Sequence, residues 1–316
     1  MNLNIKTIRH ADQLIANYIH TTPVLSSDAL DQHTQSQLYF KCENFQKTGS
    51  FKARGAINSV LSLTNDEAKR GVVGHSSGNH GGALALAGKL RGIPATIVVP
   101  ENTSRVKIEA IRHYGANVVT CEPTMHAREA MAERIVKEQG ASYIPPFNHY
   151  SVMAGQGTIG LELLKQVENV DSVIVPVGGG GLISGIGTAI NALNPSVEII
   201  GVEPEAASYG AQSFKAGNHC ADNQTELVTV AEGLAAAVGK ETFPIIQQHV
   251  DDFIVVNDEL IVHAMQLIWS RMKIIVEPAA AAAYAAVLKN TERFNNKTVV
   301  LIMTGGNVDL DDLPWK

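Results

Sequence analysis

The chain lacks the features that mark secreted and membrane proteins. Its three cysteines, Cys42, Cys121 and Cys220, are far apart and odd in number, so they form neither a disulfide framework nor a metal-type spacing. The N-terminus has no apolar run typical of a signal peptide, and no stretch of about 18 apolar residues could span a membrane. We therefore expect a cytoplasmic protein from a reducing compartment.

Charged and aromatic residues are also few. Aromatic residues make up 5% of the chain and charged residues 18%, and the formal net charge is -6 without a block of basic residues. A partner such as nucleic acid or an anionic membrane requires a basic patch, so neither is expected. Hydrophobic residues reach 45% of 316, which allows a sizeable core and makes two lobes the better expectation.

The middle of the chain has the rhythm of an α/β protein. From Gly71 onward, short apolar strands alternate with helical patterns of about a dozen residues, which predicts βαβ units and a parallel sheet. Pro145-Pro146 interrupts the rhythm, and the next helix is predicted from Gly155 to Val167. We predict a small α/β lobe, 71–148, inserted in a large α/β lobe made of 1–70 and 149–316.

One lysine lies in unusually apolar surroundings. Lys52 is flanked by Phe51 and Ala53 at the start of a helical pattern. Burial would lower its pKa, and a lysine that is neutral near pH 7 can form a Schiff base with an aldehyde. The alternative is a helix-start lysine whose charge stays in water, and taken alone this segment favours that alternative.

A run of four glycines predicts a phosphate site. The strand Val173–Val177 leads directly into Gly178-Gly179-Gly180-Gly181, and a helix follows. Glycine lets several backbone amides converge on one anion at a helix N-terminus. The run fits neither the dinucleotide fingerprint nor the Walker loop, so a phosphate monoester is the better hypothesis. The alternative, a plain tight turn, would not require four flexible residues.

A second strand-to-helix turn, Gly74-His75-Ser76-Ser77-Gly78-Asn79-His80, carries hydroxyls and amides that suit a carboxylate. Asn79 could hydrogen-bond a phenolic or carbonyl oxygen. The same turn matches the G-x-S-x-G nucleophile elbow, which would make the chain a serine hydrolase using Ser76. That alternative leaves Lys52 and the glycine run unexplained.

A hydroxyl follows a later strand. Thr304 comes directly after the apolar strand Val299–Met303, at the carboxyl edge of the sheet, where ligands bind in open α/β folds.

Pyridoxal phosphate has an aldehyde, a phosphate, a phenolic oxygen and a ring nitrogen, and its substrates bring an amine and a carboxylate. The four sites above provide a partner for each of these groups except the amine, which replaces Lys52 on the aldehyde.

With these motifs in place, the chain resembles the fold-type II pyridoxal-phosphate enzymes, in the branch of serine racemases, serine/threonine dehydratases and hydroxyaspartate ammonia-lyases. The motifs that carry the resemblance are Ser50–Ala56, Ser76–His80, Gly178–Gly181, Ala154–Thr158 and Val276-Glu277-Pro278. The resemblance implies two open, twisted, mostly parallel sheets flanked by helices, and a homodimer.

The resemblance also implies roles for single residues. Lys52 would bind the cofactor and move the substrate Cα proton, and Ser77 would be the acid–base group on the opposite face in racemases. The implied cofactor-binding residues are Phe51, Lys52, Asn79, Gly178, Gly179, Gly180, Gly181 and Thr304. The implied substrate-binding residues are Ser76, Ser77, Gly78, His80 and Arg128, the last resembling a racemase arginine that closes over the substrate.

Some positions depart from the racemase pattern. Glu203 and Ala207 match two ligands of a divalent cation, but Tyr209 replaces the aspartate that would be the third, which puts the metal in doubt. Phe147 and Ala236 replace an asparagine and a serine of racemases. We therefore expect a dehydratase that converts L-serine or L-threonine to a 2-oxo acid and ammonia. The alternatives are a serine racemase and a threo-3-hydroxyaspartate ammonia-lyase.

Overall fold

The computed structural model describes residues 2–220 and 228–315. The strands are β1 (Val24–Leu25), β2 (Gln37–Cys42), β3 (Val72–His75), β4 (Ala95–Pro100), β5 (Asn117–Cys121), β6 (Ser142–Tyr143), β7 (Ser172–Pro176), β8 (Glu198–Pro204), β9 (Asp252–Val256) and β10 (Thr298–Met303). The helices are α1 (Ile5–Ile15), α2 (Asp28–Thr34), α3 (Lys52–Leu61), α4 (Asn65–Lys69), α5 (Asn79–Arg91), α6 (Arg105–His113), α7 (Met125–Gln139), α8 (Tyr150–Gln166), α9 (Gly181–Leu193), α10 (Tyr209–Ala216), α11 (Thr242–His249), α12 (Asp258–Met272), α13 (Pro278–Lys289) and α14 (Thr291–Phe294).

The larger sheet has six strands in the order β1-β2-β10-β7-β8-β9, and only the β1–β2 pair is antiparallel. Of its central strands, β7 is buried along its whole length and β10 at every residue except Thr298, as expected for a parallel sheet with helices on both faces. The smaller sheet has the order β5-β4-β3-β6 and is parallel throughout. The predicted fold class, two mostly parallel sheets flanked by helices, is confirmed.

All four strands of the smaller sheet fall within 71–148, and the strands of the larger sheet lie on either side of that range. Helix α3 nevertheless packs against the smaller sheet, because Ile57 and Val60 share one hydrophobic cluster with Val72 and Ile97. The lobe boundaries stay a prediction, and the outermost residues, Met1 and Lys316, lie outside the described part of the chain.

The predicted start of the helix after Pro145-Pro146 was wrong. Helix α8 begins at Tyr150, five residues before Gly155. A Cβ on Gly155 would lie 2.6 Å from the Arg54 carbonyl oxygen, and one on Gly157 would lie 2.8 Å from the Gly185 carbonyl oxygen. These glycines therefore allow close contact of α8 with α3 and α9, and Gly155 does not mark the start of the helix.

A buried ion network anchors helix α3. Arg54 is fully buried, and its Nε and Nη1 lie 2.8 Å and 2.7 Å from carboxylate oxygens of Glu43 and Glu162. Lys41 Nζ lies 2.7 Å from the same Glu162 carboxylate. A buried charge is tolerated only when it is paired, so the network ties α3 firmly to β2 and α8.

Candidate active site

Lys52 is the first residue of α3 and is half-buried. Its Nζ donates a hydrogen bond to the Pro146 carbonyl oxygen at 2.8 Å and lies 5.0 Å from the centre of the Phe51 ring. Burial lowers the pKa of Lys52 to about 8, and the nearby Glu277 carboxylate opposes that shift. The structure therefore supports the partly buried lysine predicted from its apolar neighbours over a fully solvated one.

Thr304 lies beside the lysine segment. The Phe51 N–H donates to the Thr304 carbonyl oxygen at 3.0 Å, and Ser50 pairs with Gly305 in a β-bridge. The Thr304 hydroxyl is buried and has no hydrogen-bond partner among the described residues. Because buried hydroxyls in native proteins are normally paired, this group fits a ligand atom such as a ring nitrogen.

The glycine run lies between β7 and α9, with Gly180 in the left-handed region at φ +85°. The Gly179 carbonyl accepts hydrogen bonds from the Thr242 hydroxyl at 2.8 Å and the Gly239 N–H at 3.2 Å. This carbonyl is therefore directed to α11. The first N–H groups of α9 have no intrahelical partners, which suits the phosphate predicted here.

Phe147 packs directly on the glycine run. A Cβ on Gly179 would lie 2.2 Å from the Phe147 ring, and one on Gly181 would lie 2.9 Å from the Phe147 Cβ. The neighbouring Pro146 carbonyl holds Lys52. The segment Pro146-Phe147 thus brings the lysine and the glycine run to one place, a contact that the sequence alone did not reveal.

The turn between β3 and α5 contains the predicted substrate residues Ser76, Ser77 and Gly78. Ser76 and Ser77 are half-buried and Gly78 is exposed. The Ser76 hydroxyl accepts a hydrogen bond from the Gly78 N–H at 3.2 Å. Among the described residues no histidine is hydrogen-bonded to Ser76, whereas the hydrolase alternative requires one as its general base.

Asn79, the first residue of α5, reaches the loop after β10. Its Nδ2 donates to the two carboxylate oxygens of Glu277 at 2.9 Å and 3.1 Å, and its Oδ1 accepts from Asn307 Nδ2 at 2.7 Å. The structure therefore brings Asn79 to the neighbourhood of Thr304, as expected if both contact one ligand.

His80 was predicted to bind the substrate carboxylate, and its side chain does not fit that role. The imidazole is buried, and its Nε2 lies 2.9 Å from the Ile144 carbonyl oxygen. Burial, followed by the charge of Lys52, lowers the pKa of His80 to about 3, so the ring is neutral. Only the backbone N–H of His80, at the N-terminus of α5, is suited to a carboxylate.

Arg128 lies in the first turn of α7 and is half-buried. Burial and the charge of Arg128 lower the pKa of His75, at the end of β3. The Arg128 Nε is buried and has no hydrogen-bond partner in the described part of the chain. The structure thus places an incompletely paired cation beside the strand that leads into Ser76 and Ser77.

Glu203 and Ala207, the two positions that match metal ligands by resemblance, lie in β8 and in the turn that follows it. The buried Glu203 carboxylate accepts hydrogen bonds from the N–H groups of Gly210 at 2.9 Å and Ala211 at 2.8 Å, at the start of α10. Burial raises the pKa of Glu203 to about 8. Ala207 belongs to a short 3-10 turn, and residues 2–220 and 228–315 contain no group of three acidic, histidine or cysteine side chains suited to a metal.

Glu277 is a site residue that the sequence analysis did not identify. It precedes α13, and its Oε1 would lie 2.5 Å from a Cβ on Gly305, next to Thr304. Burial raises the pKa of Glu277 to about 7, against the hydrogen bond from Asn79 and the charge of Lys52. The sequence does contain a signal that could have identified Glu277. It is an acidic residue directly before a long apolar helix, in the motif Val276-Glu277-Pro278.

The described helices include none with the length and apolarity needed to cross a membrane. The three cysteines are free.

Comparisons with known proteins show the family of the chain. The family model described as "Pyridoxal-phosphate dependent enzyme" matches residues 15–305. A "Serine racemase" of Oryza sativa subsp. indica is 46% identical over 318 residues, covering 99% of this chain and 93% of the relative. A "beta-hydroxyaspartate dehydratase" of Paracoccus denitrificans is 43% identical over 305 residues, covering 96% of each chain. The "Structure of maize serine racemase" superposes with a TM-score of 0.95 at 43% identity, covering 98% of this chain and 95% of that one. The chain therefore belongs to the fold-type II pyridoxal-phosphate-dependent enzymes, in their serine racemase and dehydratase branch.

Proposed function

We propose that the protein binds pyridoxal 5'-phosphate at Lys52 and racemises serine, with elimination of the β-hydroxyl as a second outcome. The observation that carries the proposal is the environment of Lys52, a half-buried amine whose pKa is lowered to about 8. Its carbonyl partner, Pro146, precedes the aromatic residue that packs on the glycine run. The similarity to serine racemases over almost the whole chain favours racemisation over our first expectation, a dehydratase.

The described residues fit the cofactor group by group. Gly178–Gly181 and the N-terminus of α9 would hold the phosphate, and Asn79 would donate to the phenolic oxygen. The unpaired Thr304 hydroxyl would face the ring nitrogen. When bound, pyridoxal phosphate supplies an electron sink that makes the Cα proton of an amino acid acidic.

The proton transfers fall to two side chains. Lys52 would remove the Cα proton on one face, because an amine with a pKa near 8 can both accept and return a proton near neutral pH. Ser77 would deliver a proton to the opposite face, which inverts the stereocentre. If the β-hydroxyl leaves as water before Cα is reprotonated, the enamine product is released and hydrolyses to a 2-oxo acid and ammonia.

A second candidate, dehydration of 3-hydroxyaspartate, is favoured by Arg128. The unpaired, buried Arg128 Nε lies near the serine turn and could bind a second substrate carboxylate. The 43% identity to a β-hydroxyaspartate dehydratase supports the same candidate.

The deciding experiment incubates the protein with L-serine, L-threonine and L-threo-3-hydroxyaspartate, and measures the opposite enantiomer and the oxo acid together. Racemisation predicts D-serine from L-serine, and Ser77→Ala should lose D-serine formation while keeping part of any elimination. Pyruvate without D-serine would reject racemisation as the main activity.

The role of Lys52 has its own control. Lys52→Ala should abolish turnover and the visible absorbance of bound cofactor that borohydride removes from the wild type. Lys47→Ala changes an exposed lysine of the same loop and should retain both. A Lys52→Ala protein with full activity would disprove the proposed mechanism.

A further inference from the structure

Three loops of the site meet at one exposed asparagine, Asn307. Its Nδ2 donates to the Thr48 carbonyl oxygen at 2.8 Å and to Asn79 Oδ1 at 2.7 Å. Its side chain also lies on the lysine loop, because a Cβ on Gly49 would be 2.4 Å from Asn307 Oδ1. The neighbouring Gly306 N–H donates to the Gly49 carbonyl at 3.0 Å. Asn307 therefore joins the loops that carry Lys52, Asn79 and Thr304.

These contacts determine which way each amide group points. The Thr48 carbonyl can only accept a hydrogen bond, so Asn307 must direct its NH2 group towards it. The same NH2 group faces Asn79, which must therefore present its Oδ1. The NH2 end of Asn79 then faces the Glu277 carboxylate, which accepts in its ionised form.

Each amide nitrogen has two N–H groups, and the Glu277 carboxylate, with its oxygens close together, can be satisfied by one of them. The other N–H of Asn79 is then free to donate. If the amide were turned over, Asn79 would present an oxygen to the phenolic oxygen of the cofactor, and two acceptors repel each other. The orientation of Asn79 thus decides whether it attracts or repels the cofactor.

We propose that Asn307 is a positioning residue, which fixes the amide of Asn79 with its NH2 group turned to the cofactor's phenolic oxygen. The inference rests on the proposed function, since it requires pyridoxal phosphate beside Asn79. Asn307 acts through Asn79 and takes no part in proton transfer.

Asn307→Asp is the informative change, because it keeps the side-chain shape and replaces the donor by an acceptor. The aspartate repels Asn79 Oδ1 and weakens the preference for the donating orientation, which Glu277 alone then maintains. Asn307→Ala only removes the donor. Loss of one hydrogen bond predicts roughly 2- to 10-fold weaker binding of pyridoxal phosphate for Asn307→Ala, and the added repulsion roughly 10- to 100-fold for Asn307→Asp. Asn295→Asp, an exposed change before β10, at the opposite edge of the sheet, is the control for charge.

The experiment titrates cofactor-free protein with pyridoxal phosphate and records the dissociation constant and the absorbance spectrum of the bound form. A donor role predicts that Asn307→Asp also alters the ratio of the bands of the ionised and protonated phenol. In an Asn79→Ala background, Asn307→Asp should change the dissociation constant by less than about twofold, because coupled residues are not additive.

The outcomes separate the two proposals. A wild type that binds no pyridoxal phosphate overturns the proposed function and this inference with it. A wild type that binds it, with Asn307→Asp unchanged in affinity and spectrum, overturns the inference alone. Equal losses from Asn307→Asp with and without Asn79 would also overturn it, because they would show a purely structural role.

Discussion

The contact between Phe147 and the glycine run predicts that one added methyl group, in Gly179→Ala, lowers the stability of the protein. The Cβ of Gly179→Ala would lie 2.2 Å from the Phe147 ring, whereas ordinary contacts begin at 3.4 Å. The Phe147 ring would have to move away by about 1 Å or more. Such overpacking lowers the free energy of unfolding by ~1–3 kcal/mol. Gly179 does not have a positive φ, so alanine fits the backbone and the cost comes from the ring alone.

The matched partner of this change is Phe147→Ala, which empties the space that the new methyl group needs. We expect Gly179→Ala to lower the free energy of unfolding by ~1–3 kcal/mol in the wild type and by less than ~0.5 kcal/mol in the Phe147→Ala background. Urea denaturation of the four proteins gives this coupling energy. Pyridoxal-phosphate affinity, measured in parallel, reports whether the displaced ring disturbs the phosphate site.

A control comes from helix α5. A Cβ on Gly82 would meet only Tyr114, at 4.0 Å, so Gly82→Ala should stabilise the helix by ~0.5–1 kcal/mol. Equal destabilisation by Gly179→Ala with and without the Phe147 ring would refute the contact. So would a Gly179→Ala protein as stable as the wild type.

Two further changes test the buried charges. Arg54→Ala should lower the free energy of unfolding by ~3–5 kcal/mol, since it leaves the buried Glu43 without its cation and Glu162 with Lys41 alone, whereas Arg105→Ala, which breaks an exposed pair with Glu109, should change it by less than ~1 kcal/mol. The pKa of Glu277 is raised from 4.5 to about 7, so the folded state holds the proton more tightly and the wild type should lose stability as pH rises from about 4.5 to about 7. Glu277→Gln should not show this loss, and urea denaturation at pH 5 and pH 8 should reveal a relative gain of up to ~3 kcal/mol at the higher pH. A pH-independent difference between the two proteins would contradict the shifted pKa.

The parts of the fold and site that were predictable are those with local signals. Alternation of apolar strands with helices predicted the parallel sheets, because each βαβ unit has its own periodicity. The glycine run and Thr304 were singled out as candidates because both follow apolar strands directly, and parallel strands end at the same edge. Lys52 was noticed through its apolar neighbours, but that segment alone favoured a solvated lysine, and the glycine run, the serine turn and Thr304 reversed the preference.

The parts that were missed depend on contacts between distant segments. Gly155 looked like a helix start, since nothing in the local sequence shows the Arg54 backbone that passes 2.6 Å from its Cβ position. His80 looked available for a carboxylate, but its ring is buried against the Ile144 carbonyl, 64 residues away. Phe147 was noticed only by resemblance, and its packing on Gly179 follows from the path of the chain after β6.

The site is held together by hydrogen bonds between the two predicted lobes. Lys52, of the large lobe, is bound to Pro146 of the small one, and Asn79, of the small lobe, is bound to Glu277 and Asn307 of the large one. Separating the lobes would release the lysine from its carbonyl and the Asn79 amide from both partners at once. Because the same side chains are proposed to face the cofactor, the proposed cofactor site and the hydrogen bonds between the predicted lobes share one set of residues.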